Sequence, residues 1–303
     1  MESRVLFGSI EGVDRHDTGY GHPERHERLV AIEAAVAPFE LTRVVARAAT
    51  DTELTRVHDL AYVEALTTFA AEGGGHLDPD TPVSPGSADT ARLAAGLGLA
   101  AIEALDAGVG TAAFVAPRPP GHHAFDVRGS GFCLFNNVAL AAALLAERGE
   151  RVAIFDWDVH HGNGTQAIFW DDPRVLYAST HQYPAYPGTG AADERGGPNA
   201  EGLTVNVPLR PGTDGVGALS AFDAVIGPAI ESFAPTWILV SAGYDAHRAD
   251  PLADLRWDVA DYAALTRRVM EFDTPVLAFL EGGYDLDALA ASSAATIATL
   301  RDG

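Results

Sequence analysis

The chain alternates short apolar runs, bounded by turn residues, with longer stretches rich in Ala and Leu. Apolar runs of this length predict strands that are buried on both faces, and the longer stretches predict helices. Such alternation favours a mostly parallel sheet with helices on both of its faces. No linker, repeat or low-complexity block interrupts the pattern. We therefore predict a single α/β domain over residues 1–303.

The boundaries of these predicted elements follow turn and capping residues. The predicted strands are residues 5–8, 43–45, 112–116, 152–155, 175–179, 203–207, 237–241 and 276–280. The predicted helices are residues 87–107, 137–148, 216–233, 259–272 and 286–300. Ser87 and Asn137 are the predicted N-cap residues of the first two helices. Gly108 and Gly149 follow the predicted ends of the same helices.

Composition excludes several classes of protein. The net charge is −22, from 42 acidic and 20 basic residues, and every basic residue is Arg. Such an acidic chain repels nucleic acid and anionic membranes and favours cationic ligands such as amines or basic peptides. Cys133 is the single cysteine, so no internal disulfide is possible. The longest apolar run, 138–146, is shorter than the ~18 residues of a membrane span, and the N-terminus has no secretory signal pattern. We predict a cytoplasmic protein with no direct nucleic-acid binding; homo-oligomer formation stays open.

The densest group of ionisable side chains directly follows the fourth predicted strand. If strand geometry continues there, Asp156, Asp158 and His160 point to one face. Two carboxylates and an imidazole at one place require a cation, and this set suits zinc or another first-row divalent ion. The alternative is a polar turn. The third metal ligand must come from another strand end, where Asp245 is the candidate, although a turn or cap aspartate is an equal alternative for that residue alone.

The segments that follow five of the predicted strands are rich in His, Asp, Tyr and Gly. Because ligands bind at the carboxyl ends of the strands in such sheets, these reactive groups are expected at one edge of the sheet. His122 and His123 follow a rigid Pro-Pro-Gly turn and suit a general base and a general acid. Tyr284 suits an oxyanion donor. Phe132 and Tyr186 would wall an apolar channel, although isolated aromatic residues more often belong to a core. Together these residues predict metal-assisted hydrolysis of an amide-like carbonyl.

The ordered motifs resemble those of the zinc-dependent histone deacetylase and acetylpolyamine amidohydrolase family, and their variants follow its class II branch and prokaryotic relatives. The matching segments are 22–25, 78–81, 118–124, 131–137, 156–165, 186–190, 241–245, 250–252 and 280–285. The resemblance therefore spans nearly the whole chain. It implies an arginase/deacetylase-type α/β fold with an eight-stranded, mostly parallel sheet.

The resemblance also implies a role for each matching residue. It implies that zinc, or alternatively ferrous iron, binds to Asp158, His160 and Asp245. It implies that His122 and His123 form the acid/base pair and that Tyr284 polarises the substrate carbonyl. It implies a structural potassium site built from Asp156, Asp158, His160, Ser179 and Thr180, and a second monovalent site near Phe169 and Val175. The implied substrate channel consists of Gly131, Phe132, Tyr186 and Leu252. Asp78 or Asp80 would hold the substrate at the rim, and His161 would lie behind the metal ligands.

Several functions stay open at this point. The main expectation is an amidohydrolase that removes acetyl or other acyl groups from acyl-lysine in proteins and peptides, or from a small acylated amine. An acetylpolyamine deacetylase is the alternative that the acidic charge favours, whereas the apolar Leu252 favours acyl-lysine. An arginase-like ureohydrolase would need further ligands for a second metal ion. A metal-stabilised module that binds acylated ligands without hydrolysing them is the non-enzyme alternative. The complete set of predicted catalytic residues disfavours it.

Overall fold

The computed structural model describes residues 5–302 and has one eight-stranded sheet at its centre. In chain order the strands are β1 (Val5–Ser9), β2 (Thr42–Val45), β3 (Gly75–His76), β4 (Pro82–Val83), β5 (Ala112–Ala116), β6 (Val152–Asp156), β7 (Val175–Gln182), β8 (Thr204–Leu209), β9 (Trp237–Ala242) and β10 (Val276–Leu280). The order across the large sheet is β2-β1-β5-β10-β9-β6-β7-β8, and β3 and β4 pair separately as an antiparallel ribbon. Every neighbouring pair in the large sheet is parallel, which confirms the predicted sheet.

Helices cover both faces of this sheet. They are α1 (Glu27–Val36), α2 (Asp51–Leu54), α3 (Leu60–Ala71), α4 (Ser87–Asp106), α5 (Asn137–Glu147), α6 (Asn163–Ile168), α7 (Gly215–Ala221), α8 (Gly227–Phe233), α9 (Val259–Met270) and α10 (Leu286–Asp302). Helix α4 contacts β1, β5 and α5, whereas α10 contacts the same two strands together with α1 and α9. Both helices contact β1 and β5, but α4 packs with α5 and α10 packs with α1 and α9. The two helices therefore lie on opposite faces of the sheet.

Two of the predicted N-caps are wrong by one residue. Helix α4 has Gly86 at its N-cap, and the Ser87 hydroxyl instead accepts a hydrogen bond from the backbone N–H of Ser84. Helix α5 is capped by Asn136, whose side chain accepts from the backbone N–H of Ala139 at 3.0 Å. For α5, Asn136 and Asn137 fit the helix start equally well in sequence terms, and the turn before the helix decides between them; the N-cap of α4 makes no side-chain hydrogen bond.

The predicted helix 216–233 is interrupted. A π-helical turn, Phe222–Ile226, lies between α7 and α8. By length and composition alone, the run Gly215–Phe233 would be long and apolar enough to cross a membrane, and 22% of its most apolar window is buried. One such helix is weak evidence, because core helices pass the same test. The absence of membrane insertion therefore stays a prediction.

Strand β6 stops at Asp156, so the expected continuation of strand geometry through His160 is wrong. The backbone turns after Asp156, and α6 begins at Asn163. The carboxyl ends of β10, β9 and β6 are neighbours in the sheet: Leu280 pairs with Ala242, and Asp156 pairs with Ser241. The loops that follow these three strands therefore begin side by side.

Candidate active site

Three side chains from two of these loops converge on one point. Asp158 and His160 follow β6, and Asp245 follows β9; their ligand atoms all lie within 4.8 Å of one another. Both aspartates are fully buried, whereas 12% of the His160 side chain is exposed. One side of the group is therefore open toward solvent, as a catalytic metal site requires.

The distances fit a tetrahedral ion. With metal–ligand bonds of about 2.0–2.2 Å, tetrahedral ligands lie roughly 3.3 Å apart. Nδ1 of His160 lies 3.2 Å from Oδ1 of Asp158 and 3.1 Å from Oδ2 of Asp245. A Cβ at Gly243 would lie 2.0 Å from Oδ2 of Asp158, and one at Gly282 would lie 2.1 Å from Oδ2 of Asp245. The two glycines thus form a close cradle around two buried carboxylates, whose charge a divalent cation would balance.

His122 and His123 lie beside this group with ring centroids 4.0 Å apart. Nδ1 of His122 contacts Oδ2 of Asp156 at 3.0 Å, whereas Nδ1 of His123 contacts the side-chain oxygen of Asn163 at 2.8 Å. Burial alone would lower the pKa of His122, but the neighbouring carboxylates, Asp156 first, outweigh burial and raise the pKa to about 10. Burial and the charge of His122 hold the pKa of His123 well below its usual value. The pair therefore consists of one cationic and one neutral imidazole.

The neutral ring is arranged as a base. Because the amide oxygen of Asn163 only accepts hydrogen bonds, Nδ1 of His123 donates to it. The unprotonated nitrogen is then Nε2, which makes no hydrogen bond within residues 5–302. This lone pair can accept a proton from a water molecule in the site.

Tyr284 follows β10 and is 8% exposed. Its backbone N–H donates to Oδ2 of Asp250 at 2.6 Å, and its ring lies between Phe132, at 5.8 Å, and the guanidinium of Arg28, at 5.0 Å. Burial, followed by the charge of Asp245, raises the pKa of Tyr284 well above 10, so the phenol keeps its proton. Within the described residues its hydroxyl has no hydrogen-bond partner, and it is therefore available as a donor to substrate.

The structure brings the predicted channel residues around this opening. The Tyr186 ring lies 5.1 Å from His123, and the Phe132 ring contacts Tyr284. Gly131 has φ +54°, and a Cβ there would lie 2.6 Å from His123 and 2.9 Å from the Tyr186 hydroxyl. A side chain at this position would therefore block the channel. Leu252 is 40% exposed, and its backbone N–H donates to Asp250.

The two candidate rim aspartates differ in their contacts. Asp78 accepts hydrogen bonds from the backbone N–H groups of Asp80, at 3.1 Å, and of Gly131, at 3.3 Å. The carboxylate of Asp80 is exposed and has no hydrogen-bond or ion-pair partner within residues 5–302. Asp78 therefore shapes the rim, and Asp80 is the carboxylate that is free to bind a ligand.

The predicted potassium ligands lie at the end of β6, in the loop that follows it, and within β7. Asp156 and Ser179 are paired in register, and the buried Thr180 hydroxyl has no partner within the part of the chain that the structure describes. The Asp156 carboxylate also accepts from the Tyr177 hydroxyl at 3.1 Å, in addition to its contact with His122. Phe169 and Val175, expected near a second monovalent site, lie at the end of α6 and the start of β7.

Sequence reasoning missed the groups that support the site. Glu24 is fully buried between Arg28, at 3.2 Å, and Arg118, at 2.9 Å, and Arg28 also donates to the backbone oxygens of Glu281 and Gly283. These contacts fasten the loop that carries Tyr284. Oε2 of Glu281 accepts from the backbone N–H groups of Gly121, at 2.7 Å, and His122, at 3.1 Å. Glu24, Arg118 and Glu281 lie within the quoted motifs, whereas Arg28 lies outside them and gave no signal in the sequence.

Comparison with known proteins agrees with this geometry. The sequence model of the histone deacetylase domain matches residues 22–300. A probable deacetylase from Archaeoglobus fulgidus is 41% identical over 90% of this chain and 79% of its own. A histone deacetylase-like amidohydrolase from Pseudomonas aeruginosa is 40% identical over 83% of this chain and 68% of its own. The crystal structure of the HDA15 HD domain superimposes with a TM-score of 0.94 at 39% identity, covering 97% of this chain and 90% of that one. The chain belongs to the histone deacetylase family.

Proposed function

We propose that this deacetylase hydrolyses acyl-lysine side chains of proteins or peptides with one zinc ion, and that residues 1–303 act as a single catalytic domain. The observation that carries the proposal is the convergence of Asp158, His160 and Asp245 beside two buried histidines, one of which contacts the Asp156 carboxylate and the other the Asn163 amide. A structural cation site would not need an open side next to an acid, a base and an unpaired phenol.

The residues have distinct roles in this proposal. Zinc, held by the three converging side chains, would polarise the substrate carbonyl and make water nucleophilic at neutral pH. Nε2 of His123 accepts the proton of the attacking water. His122, kept cationic by Asp156, holds a proton for the leaving amine. The Tyr284 hydroxyl donates to the oxygen on which negative charge develops.

Potassium belongs to the same proposal as a structural ion. Asp156 and Ser179 are paired in register on neighbouring strands, and the buried hydroxyl of the next residue, Thr180, has no partner within residues 5–302. Oxygen donors of this kind suit a hard monovalent cation. A potassium ion held there would supply positive charge at the end of β6 and would stabilise the turn that presents Asp158 and His160.

The rim favours acyl-lysine but does not remove the polyamine alternative. Asp80 has an unpaired carboxylate that can accept hydrogen bonds from the backbone N–H groups of a bound peptide. Leu252 presents an exposed apolar surface, on which an acyl-lysine stem packs better than a charged polyamine does. The net charge of −22 favours both polyamines and basic peptides. A ureohydrolase is disfavoured, because residues 5–302 contain one group of three metal-ligating side chains rather than two.

A substrate comparison tests the proposal. Acetate release is measured from an acetyl-lysine peptide, from N-acetylspermidine and from N-acetylputrescine, with and without a chelator and with added Zn²⁺ or Fe²⁺. We expect chelator-sensitive hydrolysis of the peptide at a kcat/KM at least tenfold above that of either polyamine. The opposite ranking would establish the polyamine alternative. Hydrolysis that is indifferent to chelation would contradict the metal mechanism.

The Asp80→Asn variant provides a matched control for the rim. Asn keeps an oxygen acceptor but loses the charge. The KM for the peptide should therefore change little, whereas the KM for a cationic polyamine should rise. Asp80→Ala, which removes the acceptor as well, should raise the KM for the peptide.

A further inference from the structure

A second pair of buried histidines lies behind the candidate active site. His161 follows the ligand His160, His181 lies on β7, and the two ring centroids are 4.8 Å apart. Both side chains are almost completely buried. They lie beneath residues 183–191, the loop that carries Tyr186.

Both histidines contact the C-terminal end of this loop, at two adjacent residues. Nε2 of His181 lies 2.9 Å from the backbone oxygen of Gly190, and Nδ1 of His161 lies 2.8 Å from the hydroxyl of Thr189. Since a carbonyl oxygen only accepts, Nε2 of His181 donates, and its Nδ1 accepts from the Ser179 hydroxyl at 2.9 Å. One neutral tautomer therefore satisfies both nitrogens of His181.

The neighbouring side chains fix the tautomer of His161 in the same way. Oε1 of Gln166 lies 2.9 Å from Nε2 of His161 and also accepts from the side-chain amide of Asn206 at 2.7 Å. Because this oxygen only accepts, Nε2 of His161 donates, and Nδ1 is left to accept from the Thr189 hydroxyl. Gln166 in turn donates to Glu194 at 2.6 Å, and Glu194 accepts from the backbone N–H of Ala191 at 3.2 Å.

Gly190 is the residue that allows this close approach. Its φ is +87°, and a Cβ there would lie 2.5 Å from Nε2 of His181 and 2.7 Å from the ring of His161. Any side chain at this position would push the loop away from both rings. The backbone of the loop is thus pressed against the histidine pair at one point, four residues after Tyr186.

Tyr186 itself has few anchors of its own. It is 44% exposed, and its ring contacts His123, at 5.1 Å, and His160, at 6.1 Å, on the site side only. Its position over the opening therefore depends on the backbone that carries it. That backbone is held at its start by the bond from the Tyr183 N–H to the Leu209 oxygen, at 2.8 Å, and at its end by the bonds to Thr189 and Gly190.

We propose that the buried pair His161 and His181, through their bonds to Thr189 and Gly190, positions the loop that carries Tyr186 and thereby sets the width of the acyl channel. This inference rests on the proposed function, because it assigns Tyr186 to the wall of a substrate channel. Neither histidine touches a reacting atom in this account; both act through the loop. Loosening the loop should weaken substrate binding and leave the chemical step and the metal site unchanged.

Two substitutions at Thr189 test the proposal without disturbing the buried rings. Thr189→Val keeps the shape of the side chain and removes the hydroxyl, whereas Thr189→Ser keeps the hydroxyl. For the loss of one hydrogen bond we expect Thr189→Val to raise the KM for an acetyl-lysine peptide by about 5-fold. The kcat and the zinc content should stay within twofold of the unmodified chain, and Thr189→Ser should match it throughout.

A double-mutant cycle shows whether the effect passes through Tyr186. In a Tyr186→Ala background, adding Thr189→Val should change kcat/KM by less than twofold. Amide hydrogen exchange provides a readout that does not need activity: exchange in residues 183–191 should be about 5-fold faster in Thr189→Val than in Thr189→Ser.

Three results would overturn the inference. They are an undiminished effect of Thr189→Val in the Tyr186→Ala background, loss of zinc in Thr189→Val, and equal amide exchange in the two Thr189 variants. If the unmodified chain hydrolyses no acylated amine, the proposed function fails. The exchange comparison then still decides whether the histidine pair holds the loop.

Discussion

Replacing Tyr284 by Phe removes one hydroxyl from the candidate site and leaves the rest of the side chain in place. The ring would keep its contacts with Phe132 and Arg28, and the backbone N–H would keep its bond to Asp250. Because the hydroxyl has no partner within residues 5–302, its loss leaves no buried group unsatisfied. The free energy of unfolding should therefore change by less than about 0.5 kcal/mol.

The effect on catalysis should be far larger. Removal of one oxyanion donor costs about 2.7–4 kcal/mol of transition-state stabilisation, which is ~10²- to 10³-fold in kcat. Initial rates of acetate release from an acetyl-lysine peptide, at saturating substrate, measure this loss. The KM should change little, since the donor acts on charge that develops after binding.

Tyr62→Phe is the matched control with the opposite expectation. The Tyr62 hydroxyl donates to the backbone oxygen of Leu134 at 2.7 Å, so its removal leaves that acceptor unpaired. We expect a loss of about 1–3 kcal/mol in urea unfolding and a kcat within twofold. A Tyr284→Phe variant that keeps more than a tenth of the kcat, or that is less stable than Tyr62→Phe, would refute the assignment of Tyr284.

Three further expectations follow from buried polar contacts. Asp250→Ala should lower kcat at least tenfold and destabilise the chain by about 1–3 kcal/mol, because Asp250 holds the backbone of Tyr284; Asp250→Asn, which keeps an acceptor, should be milder in kinetic and urea assays. Arg118→Met should destabilise by about 3–5 kcal/mol in urea unfolding, since it removes one of two cations from the buried Glu24; a loss below 1 kcal/mol would contradict the pairing. Burial lowers the pKa of His58 to about 4, so the stability that neutral His58 contributes is complete above about pH 6.5 and is lost as the pH falls toward 4. The free energy of unfolding, measured from pH 4 to pH 7, should therefore fall less in His58→Gln, by up to about 3 kcal/mol. Equal pH dependence of the two proteins would contradict this expectation.

The sheet could be predicted from sequence because its strands are buried on both faces. Runs such as Ala112–Ala116 and Val276–Leu280 are continuously apolar, and the structure gives both the predicted bounds. Helices α1 and α3 were not predicted from the sequence. The signal for α3 was nevertheless present: Asp59 caps it by accepting from the backbone N–H of Ala61 at 2.8 Å.

The candidate site was predicted by residue type and position, but its pairings were not. Loops after adjacent parallel strands meet at one edge, so Asp158 and Asp245 could be placed together from the strand pattern. The partner of each histidine depends on how the backbone turns after the strand, and no periodicity records that. Asp156 was expected to bind a monovalent cation, and its contact with His122 emerged only in the structure. Asn163, within the quoted motif 156–165, had no predicted role and proves to orient His123.

Zinc titration of metal-free protein by calorimetry tests the central claim most directly. The account predicts one Zn²⁺ per chain, recovery of deacetylation after one equivalent, and loss of both in a folded Asp245→Ala variant. Unchanged zinc affinity in that variant, or full activity of the unmodified chain without any divalent metal, would contradict the claim that Asp158, His160 and Asp245 form the catalytic metal site.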